Sequence, residues 1–314
     1  MRTASEEKTG KPSGGSPAFE IKEALVGLAL DKSDASLLKY LGFFSGVVPL
    51  QHLSLLHVVP SPKPVWPFRA VYPEKPAGLS REKEAEVVQA MQAETKKMPP
   101  HLSGDKLSYT VREGSLLEEF VTIALEKEQG LMAIGKRPGN NHGLLAKNLI
   151  RHATTNLLIV PEQSPGHLRT IVVPIDFSEN SSRALKLALV LKNQAGKGAR
   201  VIALNIYQRP NLMSYKLDMT PEQFERNIQE NHEKGFEKFI AEQLPGFEKD
   251  VHPMLVESDL PDIAHQILEQ SLKAKADLVI MGSKGHSKLE RLLLGSTTET
   301  LLNINEEIPM MVVK

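Results

Sequence analysis

The chain has 314 residues, enough for about two domains, and its content of 41 % hydrophobic and 24 % charged residues is typical of globular proteins. Lysine plus arginine and aspartate plus glutamate each number 38, and this zero net charge argues against a nucleic-acid partner. Cysteine is absent, which excludes disulfides and thiolate chemistry and fits a cytoplasmic location. No apolar run approaches the roughly 20 residues of a membrane span, so no membrane partner is expected.

The first residues are small and polar, with many Gly, Ser and Pro, and they lack the apolar stretch of a secretory signal. We expect residues 1–18 to form a flexible tail. The Pro- and Gly-containing segment 161–168 is expected to be a short linker between two domains, 19–160 and 169–314.

The first domain begins with an apolar strand at 24–31 that ends in Asp31. A Ser-containing helix start, a second strand, a long irregular segment and a charged helix follow. A third strand, an amphipathic helix and a short strand ending at Gly135 come next. A glycine-containing loop, a helix and a last apolar strand at 156–160 complete the series. Strands that alternate with helices in this way predict a parallel sheet with helices on both faces.

The second domain repeats this series, from a strand at 170–176 that ends in Asp176 to a short strand ending at Gly282 and a last strand at 309–313. The two aspartates are 145 residues apart, and the glycines Gly135 and Gly282 are 147 apart. A register kept over more than a hundred residues indicates an internal repeat.

The last strands of the two domains, 156–160 and 309–313, are short and apolar. Bare apolar sheet edges promote aggregation, so chains normally cover them. We therefore expect the domains to form an intramolecular pseudo-dimer through these strands, and a homodimer of the chain is left open.

A glycine-containing loop with Gly282, Gly285 and Gly295 lies between a buried strand and a helix in the second domain. Glycines let main-chain N–H groups approach an anion, and a helix N-terminus adds unpaired N–H groups. We expect Gly282 and Gly295 to need positive φ and to leave space that a Val side chain would fill. Hydroxyls at positions 296–298 could reach phosphate oxygens, and Lys284 could neutralise them. The alternative is that these are turn glycines and an N-cap.

The first strand of the second domain ends in Pro174, Ile175 and Asp176. Ligands of open parallel sheets lie outside the carboxyl ends of the strands. A carboxylate there could accept hydrogen bonds from a ribose or an adenine amino group. The alternative is that Asp176 caps the helix that follows.

The spacing G-x-x-G-x(9)-G-[ST], with a first strand running into Asp-Phe-Ser-Glu, resembles the ATP-binding branch of the universal stress protein family. The whole chain resembles a tandem member of that family. The resemblance implies two Rossmann-like (adenine nucleotide alpha hydrolase-like) α/β domains. Each would have a five-stranded parallel sheet of order 3-2-1-4-5 flanked by helices.

The resemblance also implies ATP with Mg²⁺ as ligand, the metal being held by the nucleotide phosphates. The family often has His where this chain has Asn205, at the end of the second strand. The implied nucleotide-binding residues are Pro174, Ile175, Asp176, Asn205, Ile206, Met281, Gly282, Ser283, Lys284, Gly285, Gly295, Ser296, Thr297 and Thr298.

The glycine loop of the first domain, 135–145, is five residues shorter, and Leu144 and Leu145 follow its last glycine. Apolar side chains would stand where phosphate oxygens need donors, and an unpaired buried anion is costly. We therefore expect one triphosphate per chain, in the second domain. A smaller anion held by Lys136, Arg137 and His142 is the alternative for the first.

These features predict a stress-response regulatory protein that binds an adenine nucleotide and acts through conformation or partner binding. A slow ATPase or phosphotransferase using His286 or Glu290 and a ligand-free dimerisation scaffold are the alternatives. The aromatic segment 65–72 is expected to dock on its own domain or to act as a lid.

Overall fold

The computed structural model describes residues 19–60, 79–126, 130–137, 142–152, 154–208, 220–258, 261–284 and 294–314. The expected tail at 1–18 and the aromatic segment 65–72 lie outside these ranges. Within them, no helix is long and apolar enough to cross a membrane.

The described residues form ten strands and eight α-helices. The strands are β1 (Ile21–Gly27), β2 (Leu50–Pro60), β3 (Leu107–Gly114), β4 (Leu131–Lys136), β5 (Asn156–Pro161), β6 (Thr170–Pro174), β7 (Arg200–Gln208), β8 (Val251–Ser258), β9 (Leu278–Gly282) and β10 (Met310–Val313). The helices are α1 (Lys32–Val47), α2 (Arg81–Thr95), α3 (Leu116–Glu126), α4 (His142–His152), α5 (Glu179–Ala195), α6 (Pro221–Gln243), α7 (Ile263–Lys273) and α8 (Ser296–Ile304).

All ten strands belong to one sheet of order β3-β2-β1-β4-β5-β10-β9-β6-β7-β8. Each half therefore has the order 3-2-1-4-5, with parallel neighbours throughout, which confirms the expected α/β fold. The halves meet where β5 and β10 pair antiparallel, with Met311 opposite Leu158. The expected pairing of the last strands is thus confirmed.

Alternate residues of each strand point to opposite faces of the sheet, and each face carries its own core. One core packs the strands against α1, α2, α5 and α6, and the other packs them against α3, α4, α7 and α8. Both cores contain residues of both halves, such as Leu158 and Met311 in the first. The two halves therefore share their interior.

The sheet register relates β1 and β4 of the first half to β6 and β9 of the second half by a single offset. Leu25 of β1 pairs with Met132, and 147 residues later Val172 of β6 pairs with Val279. The same offset relates the two non-glycine residues with positive φ that precede the first helix of each half, Leu30 at 57° and Phe177 at 63°.

This offset corrects the alignment that the sequence suggested for the two aspartates. Asp31 is the N-cap of α1, and its counterpart is Ser178, the N-cap of α5. The counterpart of Asp176 is Ala29. Thus Asp31 and Asp176 are not equivalent. Asp31 is instead a helix cap, whose carboxylate accepts the N–H and the hydroxyl of Ser33 at 2.8 Å and 2.7 Å.

The shared core predicts that the described halves unfold together. Replacing Leu158, which is fully buried, by Ala should lower the free energy of unfolding by about 2–5 kcal/mol. Urea denaturation followed by circular dichroism should show one transition that moves as a whole. The matched variant Leu125→Ala, at a side chain that is 63 % exposed, should change stability by less than about 0.5 kcal/mol. Two separate transitions, of which only one moves in Leu158→Ala, would contradict the shared core.

Candidate functional site

A cavity of about 320 Å³ lies at the carboxyl ends of β6, β7 and β9, where the strand order of the second half reverses. Ligands of open α/β sheets bind at this position. Its lining residues are Pro174, Ile175, Asp176, Ser181, Leu204, Asn205, Ile206, Ile263, Ile267, Met281, Gly282, Lys284, Gly295, Ser296, Thr297 and Thr298. Twelve of the fourteen residues expected from the sequence are among them, and the other two are Ser283 and Gly285.

The turn between β6 and α5 presents Asp176 to the cavity. The carboxylate of Asp176 accepts the N–H of Ser178 at 3.1 Å, while the hydroxyl of Ser178 caps α5 by accepting the N–H of Ser181. Asp176 is therefore not the helix cap, and its side chain is exposed at the rim. Phe177 holds the turn, since its ring packs edge-on against Phe236 and Phe239.

Asn205 lies at the floor of the cavity and is 5 % exposed. Its Nδ2 donates to the carbonyl of Ile175 at 2.8 Å, which fixes the amide orientation because a carbonyl can only accept. In the first half, Nδ1 of His57 contacts the carbonyl of Leu28 at 2.9 Å in the same position. Asn205 therefore keeps the hydrogen bond that a histidine would make. Its Oδ1 has no hydrogen-bond partner among the described residues, and buried acceptors of this kind normally have one.

The glycine loop is closed by main-chain hydrogen bonds. The N–H of Gly295 donates to the carbonyl of Ser283 at 3.0 Å, and the N–H of Ser283 donates to the carbonyl of Val313 at 3.0 Å. Ser283 thus anchors the loop and is absent from the cavity lining. Gly285, together with His286 and Glu290, lies outside the described residues.

Helix α8 directs its N-terminus at the cavity. Gly295 is its N-cap and supplies no side-chain cap, and residues 296–298 of the first turn line the cavity. The hydroxyl of Thr298 donates to the carbonyl of Gly282 at 3.1 Å, which ties the helix to β9. Uncapped N–H groups and the positive end of the helix dipole favour an anion here, and Lys284 adds a positive charge at the same rim.

The expected positive φ at Gly282 and Gly295 is wrong. Gly295 has a φ of −62°, which any residue adopts, and Gly282 is not among the glycines with positive φ. A Cβ on Gly282 would lie 2.5 Å from Cβ and 2.9 Å from the carbonyl carbon of Asn180. The reason for glycine at 282 is thus the close approach of β9 to the first turn of α5.

Four lining residues escaped the sequence analysis. Three are apolar side chains, Leu204, Ile263 and Ile267, and the fourth is Ser181 in the first turn of α5. The two isoleucines lie four residues apart on α7, so the amphipathic pattern of that helix was the available signal. These side chains make one wall of the cavity apolar, whereas the α8 end is polar.

The corresponding position of the first half carries different chemistry. Ala29 replaces Asp176 and Asp34 replaces Ser181, by the offset that the sheet register establishes. The Asp34 carboxylate is 1 % exposed and accepts the N–H groups of Ala29 and Leu30 at 3.0 Å and 2.6 Å. Burial raises the pKa of this carboxyl above its ordinary value. A buried carboxyl group that already uses these N–H groups disfavours a bound anion.

The basic residues of the first glycine loop are also engaged. Arg137 pairs with Asp31. Lys136, which is 4 % exposed, donates to main-chain carbonyls at the end of α8 in the other half. These contacts disfavour the small anion that the sequence left open for Lys136 and Arg137, since both side chains have protein partners. The side chain of His142 lies outside the described part of the structure.

Metal ligands do not cluster in the described ranges, where no group of three or more His, Cys, Asp and Glu side chains could hold an ion. A bound molecule could supply oxygen ligands for a divalent cation, as phosphates commonly do for Mg²⁺.

The close contact at Gly282 predicts a specific stability effect. Gly282→Ala should lower the free energy of unfolding by about 1–3 kcal/mol, because the added methyl overlaps the helix backbone at Asn180. The matched change Gly46→Ala, on the exposed side of α1 with nothing within 4 Å of the new methyl, should raise stability by about 0.5–1 kcal/mol. Thermal unfolding of both variants checks this, and equal stability of the two would contradict the packing role of Gly282.

Comparison with known proteins agrees with this architecture. Residues 167–314 match the model of the Universal stress protein family. A universal stress protein of Methanocaldococcus jannaschii is 29 % identical over 146 residues, which are 46 % of this chain and 82 % of that protein. One of Mycobacterium bovis is 28 % identical over 171 residues, so that match spans half the length of the mycobacterial relative.

Solved structures resemble the chain over nearly its whole length. A universal stress protein from Archaeoglobus fulgidus has a TM-score of 0.59 at 19 % identity, covering 93 % of this chain and 98 % of that one. A protein of unknown function from Pseudomonas aeruginosa PAO1 has a TM-score of 0.61 at 18 % identity, covering 94 % and 92 %. At this identity the two structures support the fold of the whole chain, while the family match concerns its second half. Residues 167–314 are thus similar in sequence to the universal stress protein family, and the whole chain is similar to its members in fold.

Proposed function

We propose that this chain is a stress-response regulatory protein that binds ATP with Mg²⁺ in the cavity of its C-terminal half. The stress-response class follows from the family of residues 167–314. The cavity itself is the main support for this ligand, because it combines an apolar wall, an exposed carboxylate and an uncapped helix N-terminus. Base, ribose and phosphates of a nucleotide need these three environments.

The apolar end suits the base. Ile206, Ile263, Ile267 and Met281 offer aliphatic surface to a flat ring, whose burial is favourable by the hydrophobic effect. The free Oδ1 of Asn205 supplies an unsatisfied acceptor at the floor, and an amino group of the base is a matching donor.

The middle and far end suit the sugar and the phosphates. The Asp176 carboxylate accepts ribose hydroxyls at the rim. The first-turn N–H groups of α8, together with the hydroxyls of Ser296 and Thr297, donate to phosphate oxygens, and Lys284 offsets their charge. Mg²⁺ is then held by the phosphates and waters, and it neutralises negative charge on the nucleotide.

The tandem arrangement belongs to the same proposal. The first half repeats the topology of the second but carries Ala29 and Asp34 where a nucleotide would need a rim carboxylate and an open turn. We infer that it is a second, diverged universal stress protein domain that serves the structure and not the ligand. Binding of ATP would change the cavity and thereby the affinity for a partner protein.

Titration calorimetry with Mg·ATP tests the ligand. Gly295→Val should remove measurable binding, because Gly295 lines the phosphate end of the cavity and a valine there takes up space. The variant should fold, since φ of −62° and ψ of 137° suit valine. The matched control is Gly166→Val, at an open position of the linker with nothing within 4 Å, and it should bind like the wild type.

Absence of binding by the wild type, or equal affinity of all three proteins, would refute the proposed ligand. Steady-state phosphate release from the same samples separates binding from hydrolysis. The regulatory proposal expects none above background, and sustained release that Gly295→Val abolishes would support the ATPase alternative.

A further inference from the structure

Helix α8 of the second half is contacted at both ends by basic side chains of the first half. At its C-terminal end, Nζ of Lys136 donates to the carbonyl oxygens of Leu302 at 2.6 Å, Asn303 at 3.1 Å and Asn305 at 2.6 Å. At its N-terminal end, Glu299 pairs with Lys147 and Arg151, each at 3.0 Å. Helix α4 supplies these last two side chains.

The contact of Lys136 satisfies a general need of helix ends. The last carbonyls of a helix have no partner within the helix and carry the negative end of its dipole. An ammonium group has three donors, and here it meets three acceptors. Burial lowers the pKa of Lys136, so removing these acceptors from its reach would leave a buried cation without compensation. The contact therefore ties the end of α8 to β4.

The position of Lys136 makes this contact in the first half alone, because the two halves have different residues there. The counterpart of Lys136 in the second half is Ser283, by the same 147-residue offset that relates Gly135 to Gly282. Ser283 uses its main chain to anchor the glycine loop. Lys136 thus holds the end of α8, whereas the shorter, uncharged side chain of Ser283 cannot make the equivalent contact with the end of α4.

The contact at the other end concerns charge. Glu299 lies in the first turn of α8, one turn after Ser296 and close to the cavity. The side-chain hydrogen bond from Lys147 and the charges of Lys147 and Arg151 lower the pKa of this carboxyl below its usual range. Two cations therefore balance one carboxylate, and the anion-binding end of α8 keeps a positive potential.

We propose that Lys136, Lys147 and Arg151 are positioning residues by which the first half holds helix α8 at the phosphate end of the cavity in the second half. This inference rests on the proposed function for its ligand, but the holding of α8 can be measured without one. The first half would thus determine how well the second half binds phosphates, although none of its described residues lines the cavity.

Hydrogen exchange of the full chain without nucleotide tests the holding of α8. In Lys136→Met the amides of α8 should exchange roughly tenfold faster, because a charge-assisted hydrogen-bond set is lost, while those of α7 should not change. The matched control is Lys192→Met, which removes a lysine that donates to the carbonyl and carboxylate of Asp250 within the second half. It should leave α8 unchanged. Unaltered exchange in α8 of Lys136→Met, or an equal rise in all helices, would overturn the inference.

Calorimetry with Mg·ATP and with adenosine tests the consequence for ligands, using a variant at partly exposed positions that should fold. Lys147→Met combined with Arg151→Met should weaken ATP binding about three- to tenfold by exposing the Glu299 charge to the phosphates. Adenosine, which lacks phosphates, should bind as before. Adding Glu299→Gln to this variant should restore the affinity for ATP.

The outcomes separate the two proposals. If the wild type binds no nucleotide, the proposed function fails and the exchange measurement alone decides whether α8 is held. If the wild type binds ATP and the Lys147/Arg151 variant binds it equally well, the positioning inference fails and the proposed function stands. A parallel loss of ATP and adenosine affinity would also contradict the inference, because it would indicate a general structural defect.

Discussion

The antiparallel pairing of β5 with β10 is the interaction on which the rest of the molecule depends. It joins two five-stranded sheets into one and covers the apolar edge that each would otherwise expose. It also makes both cores continuous across the halves and brings α4 beside α8. The helix that borders the candidate cavity therefore lies at the centre of the molecule, where both halves contact it.

Within this symmetric frame the two halves differ in local chemistry. At the carboxyl ends of its strands, the second half has an exposed carboxylate at Asp176 and an uncapped helix N-terminus. The first half has the buried Asp34 carboxyl group in the corresponding turn. Its loop cations serve as ion-pair and helix-end partners. The same α/β topology thus forms a cavity suited to an anionic ligand in the second half. In the first half the corresponding polar groups form hydrogen bonds and ion pairs with the protein itself.

The parallel α/β sheet and the pairing of the last strands could be predicted from the sequence, because they depend on apolar periodicity and on a series of elements repeated in both halves. The strand order and much of the cavity lining were implied by the resemblance to the universal stress protein family. The alignment of Asp31 with Asp176 as equivalent positions was wrong, because an aspartate that follows a strand can equally serve as the N-cap of the next helix. The two aspartates are 145 residues apart, whereas Gly135 and Gly282 are 147 apart, and this difference indicated that the aspartates are not equivalent. The contacts of Lys136 and the packing of Gly282 on Asn180 join residues distant in sequence, so no local pattern could reveal them.

The central claim is that one half of the chain binds the nucleotide and the other supports it. Mass spectrometry of the intact protein under native conditions, with saturating Mg·ATP, tests this most directly because it counts ligands on each chain. The account predicts one nucleotide per chain. Two nucleotides per chain would show that the buried Asp34 carboxyl group of the first half does not exclude a ligand. A chain that binds no nucleotide would contradict the assignment of the cavity.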